Sequence, residues 1–375
     1  MDRIDVATYQ AKIKVIGVGG GGCNAITRMV QKEIRGVGFI AVNSDAQHLS
    51  LTETENRLQI GPKLTRGLGV GGDVEMGRRA AEESREELLD AVKDTDMIFI
   101  TAGMGGGTGT GAAPAIAELA KQSKALLVAI VTRPFTFEGR ARTAKAEQGI
   151  ANLMPHVDTL ITIPNDRLLT ICDYKVSVNE AFMMANDVLY NGVKAISELI
   201  TVPGIINLDF ADVKAIMSNA GLAWMAIGRG SGPNRASDAA KAAISSPLLD
   251  VTIDGAKGVL LNITGDNSLT MSEVHEAAEI IGKAVDPDAN IIFGVAHDPG
   301  ITDDVKITLI ATGFPAGKQT GAPKEEEIRQ KLAALKEEDK LDIPAFIRHP
   351  MAQKRRQTIT IPSEVRAKLA KEVVR

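Results

Sequence analysis

A short run of glycines and threonines offers the clearest chemistry in this sequence. Residues 105–111 read Gly-Gly-Gly-Thr-Gly-Thr-Gly, after the apolar run Met97–Thr101 and before an alanine-rich segment that contains Pro114. A strand, a glycine turn and a helix in that order point backbone N–H groups and the positive end of a helix at an anion. The run therefore predicts a phosphate-binding loop. A helix is expected from Ala112, with Pro114 near its first turn, where a missing N–H costs nothing.

The predicted loop lacks the lysine of a P-loop, because nothing in the sequence matches G-x-x-x-x-G-K-[ST]. A phosphate bound at residues 105–111 would have to be held by backbone N–H groups, by the hydroxyls of Thr108 and Thr110, and by a metal ion. This excludes the commonest family of nucleotide hydrolases.

A second glycine run, Gly17–Gly22, follows the predicted strand Ala11–Ile16, and a helix is expected from about Asn24. It contains G-x-G-x-x-G, and Asp45 follows the next predicted strand, as in a dinucleotide-binding unit. A nicotinamide-dependent oxidoreductase would use this run but not the second loop at 105–111. Two glycine loops that close on one triphosphate account for both runs with a single ligand.

A pair of carboxylates is the other candidate for chemistry. Asp209 and Asp212 are three residues apart, so at the start of a helix they face the same way. Such a pair can polarise a water molecule or hold a cation. Asp209 alone could equally cap the helix that follows.

The elements that must position these groups can be predicted from periodicity. Ser177 and Glu180 form a capping box at the start of a long apolar-periodic helix, which Pro203 ends. Residues 125–131 and 160–163 read as buried parallel strands, and charged or polar residues follow each of them. One charged helix is expected over 74–92. A second α/β unit follows residue 221; it contains no glycine phosphate loop, and a second capping box, Thr270 and Glu273, is expected to open a helix in it.

The composition is that of a globular protein, and the length is enough for two domains with two substantial cores. The chain has 375 residues, 44% of them hydrophobic, and a net charge of −4, which gives no reason to expect nucleic-acid binding. Cys23 and Cys172 have no metal-type spacing, so reduced thiols are expected. The sequence has no signal-peptide pattern and no run that could span a membrane. Beyond about Phe314 a charged run, 324–340, precedes an apolar island, 341–348.

The sequence resembles the tubulin/FtsZ family of GTPases in three places: the loop at 105–111, the acid pair and the apolar island. The sequence of the loop is the one typical of the FtsZ branch. The resemblance covers about residues 11–315 and 341–348. It implies an α/β fold with a Rossmann-like GTP-binding domain, a long central helix, a second α/β domain and a flexible C-terminal tail. The expected boundaries are 11–176 for the GTP-binding domain, 177–202 for the helix, 203–315 for the second domain, 316–340 for a linker and 341–375 for the tail.

The resemblance also implies which residues act. Catalysis is expected from Asp209, Asp212 and Asn207. GTP contacts are expected from Gly20, Gly21, Gly22, Cys23, Asn24, Gly71, Gly72, Gly103, Gly106, Gly107, Thr108, Gly109, Thr110, Glu138, Arg142, Asn165, Phe182, Asn186 and Asp187. Gly71 and Gly72 would sense the terminal phosphate, and either Asn186 or Asp187 would contact guanine. No side chain is assigned as a direct metal ligand, and Mg²⁺ would be bound through the GTP phosphates.

The implied function is a cytoplasmic, self-polymerising GTPase of bacterial cell division that assembles as a ring at the division site. Its partners would be further copies of the chain, stacked head to tail, and division proteins that tether it to the membrane or regulate it. The peptide for these partners would include Asp342, Ile343, Pro344, Phe346 and Arg348. Contact with the membrane would be indirect. A non-polymerising regulatory GTP-binding protein is the alternative from another class.

Overall fold

The structure is a computed structural model that describes residues 11–170, 176–201, 208–249, 253–298 and 300–314. The chain divides into two compact units, 1–324 and 325–375, and all of the described residues belong to the first. Asn207, Cys172 and the predicted partner peptide at 341–348 lie outside the described residues.

The first half alternates strands with helices. Its elements are β1 (Ile13–Val18), α1 (Gly19–Gln31), β2 (Val37–Asn43), α2 (Ala46–Ser50), β3 (Asn56–Gln59), α3 (Pro62–Thr65), α4 (Val74–Glu83), α5 (Arg85–Ala91), β4 (Met97–Gly103), α6 (Thr108–Ala120), β5 (Leu126–Arg133), α7 (Arg140–Leu153), β6 (Thr159–Pro164) and α8 (Asn165–Leu169).

A long helix follows and leads to a second set of strands. These elements are α9 (Val178–Thr201), α10 (Phe210–Met217), β7 (Gly221–Ser231), α11 (Arg235–Ile244), β8 (Gly258–Gly265), α12 (Met271–Gly282), β9 (Asn290–His297) and β10 (Asp304–Thr312). The predicted capping boxes start α9 and α12: the Ser177 N–H donates to Glu180 at 2.7 Å, and the Thr270 N–H donates to Glu273 at 2.8 Å.

The strands form one sheet in the order β3-β2-β1-β4-β5-β6-β7-β10-β8-β9. From β3 to β7 every neighbouring pair is parallel. β10 is antiparallel to both β7 and β8, whereas β8 and β9 are parallel. The carboxyl ends of β1, β4, β5 and β6 therefore lie at one edge, where open α/β sheets bind ligands.

Helices cover both faces of the parallel part of the sheet. On one face α1, α9 and α10 pack on alternate strand residues such as Val15, Phe99 and Val128. On the other face α4 to α7 pack on the intervening residues, such as Ile16 and Ile100. This is the layered α/β fold expected from the sequence. Among the described residues, no helix has the length and apolar character needed to cross a membrane.

Three local predictions of helix bounds are wrong. α1 begins at Gly19 rather than near Asn24, so the glycines form its first turn. α6 begins at Thr108 rather than at Ala112, which places Pro114 inside the helix, beyond its first turn. The segment 74–92, which reads as one helix, is broken at Ser84, whose hydroxyl accepts a hydrogen bond from the Gly61 N–H at 3.2 Å.

Candidate functional site

The two glycine loops meet at the carboxyl edge of the sheet. A Cβ built on Gly19 would lie 2.7 Å from the backbone N of Gly109, and one built on Gly109 would lie 2.8 Å from the carbonyl O of Gly103. Real Cβ atoms do not approach backbone atoms this closely, so only glycine allows the loops to pack together. α1 and α6 both begin at this contact, and each has 13 residues. Two helix N-termini thus carry their partial positive charge to one place.

A cavity of about 330 Å³ opens beside this contact, and its lining crosses much of the sequence. Thirteen predicted nucleotide contacts line it: Gly20, Gly21, Asn24, Gly103, Gly106, Gly107, Thr108, Gly109, Glu138, Arg142, Asn165, Phe182 and Asn186. We call this the glycine cavity. Met104, Thr132, Pro134, Ala185 and Leu189 also line it and are not among the predicted residues.

The missed residues carried signals that could be read from the sequence. Thr132 lies at the end of a parallel strand, where ligand contacts are expected. Ala185 and Leu189 fall three and seven residues after Phe182, so they share its face of α9. Apolar residues at this spacing could equally pack in the protein core, so spacing alone does not show that they line the cavity.

Hydroxyl groups complete the phosphate loop. Thr108 Oγ1 lies 2.7 Å from Ser44 Oγ, a contact between residues 64 apart that no local pattern predicts. Thr110 is buried and does not line the glycine cavity. Its Oγ1 accepts a hydrogen bond from the Gly105 N–H at 2.8 Å, which closes the loop on itself. Of the two predicted threonines, Thr108 is the one at the cavity.

Glu138 and Arg142 form an ion pair at the cavity wall. Arg142 Nη1 lies 2.6 Å from Glu138 Oε2, and the other carboxylate oxygen accepts a hydrogen bond from the Phe135 N–H at 2.9 Å. Only 10% of the Glu138 side chain is exposed, so its geometry is fixed. The pair offers a carboxylate acceptor and a guanidinium donor to a bound ligand.

Asn165 presents an unused acceptor to the cavity. The residue is only 4% exposed, and its Oδ1 has no hydrogen-bond partner among the described residues. A buried polar atom without a partner costs free energy, so it indicates a group that a ligand satisfies. Phe182 lies nearby at 39% exposure and packs edge-on against Phe135 at 5.4 Å between ring centroids. A flat, polar-edged ring is the kind of ligand that fits both.

Asn186 and Asp187 face different ways. Asn186 lines the glycine cavity. Asp187 instead accepts hydrogen bonds from Arg28 at 2.7 Å and from Lys32 at 2.9 Å, which joins α9 to α1. Burial alone would raise the pKa of Asp187, but these two cations outweigh it and lower the pKa.

Five other predicted contacts also lie away from the cavity lining. Gly22 and Cys23 are buried in the first turn of α1, and burial raises the pKa of the Cys23 thiol to about 11. Gly71 and Gly72 border a separate cavity, together with Thr110. The turn that contains them packs on Gly107, directly behind the phosphate loop.

The acid pair lies near the opposite edge of the sheet. α9 starts at the glycine cavity and ends where Thr201 Oγ1 donates to the carbonyl of Arg35, just before β2 begins. Met217, at the end of α10, accepts a hydrogen bond from Thr159, the first residue of β6. Asp209 and Asp212 are both exposed, and Asp209 Oδ1 accepts from the Asp212 N–H at 2.8 Å. Asp209 therefore caps α10, as one reading of the sequence expected.

Similarity to known proteins agrees with this geometry. Residues 12–173 match the model of the tubulin/FtsZ family GTPase domain, and residues 221–315 match the FtsZ family C-terminal domain. An empty FtsZ dimer from M. jannaschii is 47% identical, with a TM-score of 0.79 over 81% of this chain and 88% of that one.

Two further structures extend the comparison. A mutant of FtsZ from M. jannaschii gives the same identity and TM-score, and 92% of its chain is covered. A GTPγS-bound CetZ2 protofilament from Haloferax volcanii has a TM-score of 0.72 over 88% of this chain and 99% of its own. Its 20% identity supports the fold alone.

Proposed function

The chain belongs to the FtsZ branch of the tubulin/FtsZ family of GTPases, and from that premise we propose that it polymerises and hydrolyses GTP at contacts between subunits. GTP would bind in the glycine cavity, and the carboxylates of the next subunit would complete the site. The product pair is GDP and phosphate. The observation that carries this proposal is the separation of the glycine cavity from the acid pair within one subunit.

Each wall of the cavity suits one part of GTP. The N-termini of α1 and α6 would hold the phosphates, with a hydrogen bond from Thr108. The Glu138–Arg142 pair would contact the ribose and the phosphates. Asn165, Phe182 and Asn186 would bind the guanine, because an amide can pair with its polar edge while an aromatic ring packs on its face.

We propose that Mg²⁺ enters with the nucleotide. Among the described residues, no group of three His, Cys, Asp or Glu side chains could hold a metal. Mg²⁺ at nucleotides is commonly held by phosphate oxygens and water, and the donor set of the glycine cavity is compatible with that arrangement. When bound, the ion would offset the charge of the phosphates. The protein's own N–H groups and the hydroxyl of Thr108 orient the phosphate chain.

The two proposed parts of the reaction centre, the glycine cavity and the acid pair, lie far apart in one subunit. From Asn186 to Thr201, α9 alone covers about 22 Å. It runs from the carboxyl edge of the sheet to the amino edge, and the acid pair follows its end. Stacking subunits head to tail would bring Asp209 and Asp212 of one against the nucleotide of the next. There the carboxylates would polarise the attacking water.

Such a contact propagates as a filament. A head-to-tail interface uses two different surfaces, so it does not close unless the rotation allows it. One similar structure, the FtsZ dimer at 47% identity, is itself an assembly. A large exposed apolar side chain, Phe137 at 61%, lies next to Glu138 of the glycine cavity and would be covered by the contact.

In the cell we propose that these filaments form a ring at the division site on the inner face of the membrane. The peptide at 341–348, outside the described residues, would bind the membrane tethers. Deleting it should leave GTP hydrolysis intact and abolish recruitment to the membrane.

Sedimentation with GTP and with GDP tests the proposal. Full-length protein with Mg²⁺ and GTP should pellet as polymer, and the same protein with GDP should stay in the supernatant. Light scattering should rise on addition of GTP and fall as it is consumed. Protein that binds and hydrolyses GTP without any change in sedimentation would instead be a non-polymerising regulator.

A further inference from the structure

The turn Val70–Asp73 packs behind the phosphate loop at both of its ends. A Cβ built on Gly107 would lie 2.5 Å from Val70 Cγ2 and 2.9 Å from the backbone of Asp73. The Asp73 N–H donates to the Val70 carbonyl at 3.0 Å, and Gly71 and Gly72 have φ of +58° and +81°. Two left-handed central residues define a type I′ turn, which strongly favours glycine at both positions.

The tip of this turn has little packing around it. Within the described residues, a Cβ built on Gly71 would meet no heavy atom within 4 Å. One built on Gly72 would meet Lys145 Nζ at 3.7 Å and nothing else within that distance. A Gly-Gly pair has wide conformational freedom, so contacts at the tip must select one orientation of its peptide groups.

Lys145 makes that contact. Its Nζ, on α7, donates to the carbonyl O of Gly72 at 2.8 Å, across 73 residues of sequence. Lys145 lies one turn after Arg142, so the two side chains leave neighbouring faces of the same helix. Arg142 lines the glycine cavity. α7 thus reaches the cavity with one residue and the turn with another.

We infer that Lys145 is a positioning residue that fixes the turn Val70–Asp73 and thereby sets the preference of the site for GTP over GDP. The inference rests on the proposed function and on the sensing role that the family resemblance implies for Gly71 and Gly72. Both glycines lie outside the lining of the glycine cavity, and their turn reaches it through its packing on Gly107. Held by Lys145, the N–H groups of the turn are already oriented when GTP arrives. Without it, the turn must be ordered on binding, and that loss of entropy weakens the binding of GTP alone.

Three variants test this role. Lys145→Met keeps the apolar stem and removes the donor, and Lys145→Arg restores a cationic donor. Lys121→Met is the matched control, because Lys121 Nζ also donates to a backbone carbonyl, that of Pro155 at 3.1 Å, away from the turn. Affinities for GTP and GDP should be measured by displacement of a fluorescent nucleotide from dilute protein. Thermal unfolding of each variant verifies that it is folded.

We expect Lys145→Met to lower GTP affinity about three- to tenfold, as the loss of one hydrogen bond of typical net strength predicts, with GDP affinity unchanged. Lys145→Arg should recover most of the difference, and Lys121→Met should bind both nucleotides like the wild type. An unchanged GTP-to-GDP affinity ratio in Lys145→Met would overturn the inference, and so would an equal loss for both nucleotides. Failure of the proposed function is distinguishable, because the wild type itself would then bind neither nucleotide.

Discussion

At the scale of single residues, neighbours in sequence divide between binding and packing. Asn186 lines the glycine cavity, while Asp187 pairs with Arg28 and Lys32. The sequence predicts that one of the two contacts guanine but cannot say which. Both are polar, and the choice depends on which helix packs beside α9. We take Asn186 as the base contact.

We predict that Asn186→Ala lowers affinity for GTP and GDP alike by about tenfold or more, since it removes donors and an acceptor at the base. Asp187→Asn should leave both affinities within about threefold of wild type. It should lower the melting temperature slightly, because it weakens a half-exposed ion pair. Calorimetric titration with each nucleotide, alongside thermal melts, measures both effects. The reverse pattern would assign the base contact to Asp187.

Asn165 gives a second prediction at this scale. Its buried Oδ1 has no partner among the described residues, so the free protein carries an unsatisfied acceptor to which a bound ligand would donate a hydrogen bond. Asn165→Leu, of similar size, should therefore leave the stability of the nucleotide-free protein unchanged or raise it, while nucleotide affinity falls at least tenfold. Urea unfolding of nucleotide-free protein and a binding titration test this pair of outcomes. A large loss of stability would mean that the amide is structural.

At the scale of elements, signals that act within a few residues predict where helices and strands lie. They do not predict how these elements pack on one another. The strand before residue 105 and the start of α9 follow from apolar runs and a capping box, which act within a few residues. The start of α1 at Gly19 does not follow from such local signals. A Cβ on Gly22 would lie 2.6 Å from the carbonyl O of Thr101, so the packing of α1 on β4 imposes glycines that disfavour a helix locally.

The contact between α9 and β10 gives a prediction about pH. Lys306 on β10 donates to Asn191 on α9 at 2.9 Å, and burial lowers the pKa of Lys306 to about 8. Lys194 and Arg229 act on this pKa in the same direction as burial, Glu198 and Asp298 oppose them, and about 8 is the net value. Between pH 8 and the usual lysine value of 10.5, the unfolded chain therefore binds a proton that the folded chain has lost. Stability from this group rises with pH over that range.

We predict that the free energy of unfolding of wild type, relative to Lys306→Met, rises by at most about 3 kcal/mol from pH 7.5 to 10.5. The comparison is needed because Cys23, with its raised pKa of about 11, acts in the opposite direction above pH 9 in both proteins. Lys283→Met, at an exposed lysine, serves as control and should track the wild type. Denaturant unfolding at a series of pH values measures the difference. A constant difference would show that Lys306 keeps its proton throughout.

At the scale of the whole molecule, the order of the motifs predicts two α/β halves with a helix between them. It does not predict that one sheet runs through both halves. The two α/β halves and the helix between them were expected from the sequence. That β7 joins the parallel strands through β6 and the second set through β10 depends on pairing between distant segments. The domain boundaries remain predictions, and the sheet runs through the boundary between the two halves.

At this scale we also predict that GTP is hydrolysed between subunits, because this depends on where the glycine cavity and the acid pair lie in the whole molecule. The glycine cavity and the acid pair lie toward opposite edges of one sheet, so no single subunit brings them together. Asp212→Ala removes the exposed carboxylate and keeps the nucleotide site. Asn165→Leu removes a nucleotide contact and keeps the carboxylates. At subsaturating GTP each variant alone should have at most about a tenth of wild-type GTPase activity, because every contact it forms lacks one half of the proposed centre.

An equimolar mixture of the two variants should recover activity well above the sum of its parts. In a mixed filament, one kind of contact pairs the intact carboxylates of Asn165→Leu with the intact nucleotide site of Asp212→Ala. Steady-state phosphate release at fixed total protein measures the recovery. A mixture of Asp212→Ala with Asp209→Ala is the control and should stay inactive if both carboxylates act on the same nucleotide. Hydrolysis at the polymer's rate by dilute wild type, shown by sedimentation to be monomeric, would contradict the shared site, since a subunit acting alone would then hold the complete catalytic centre.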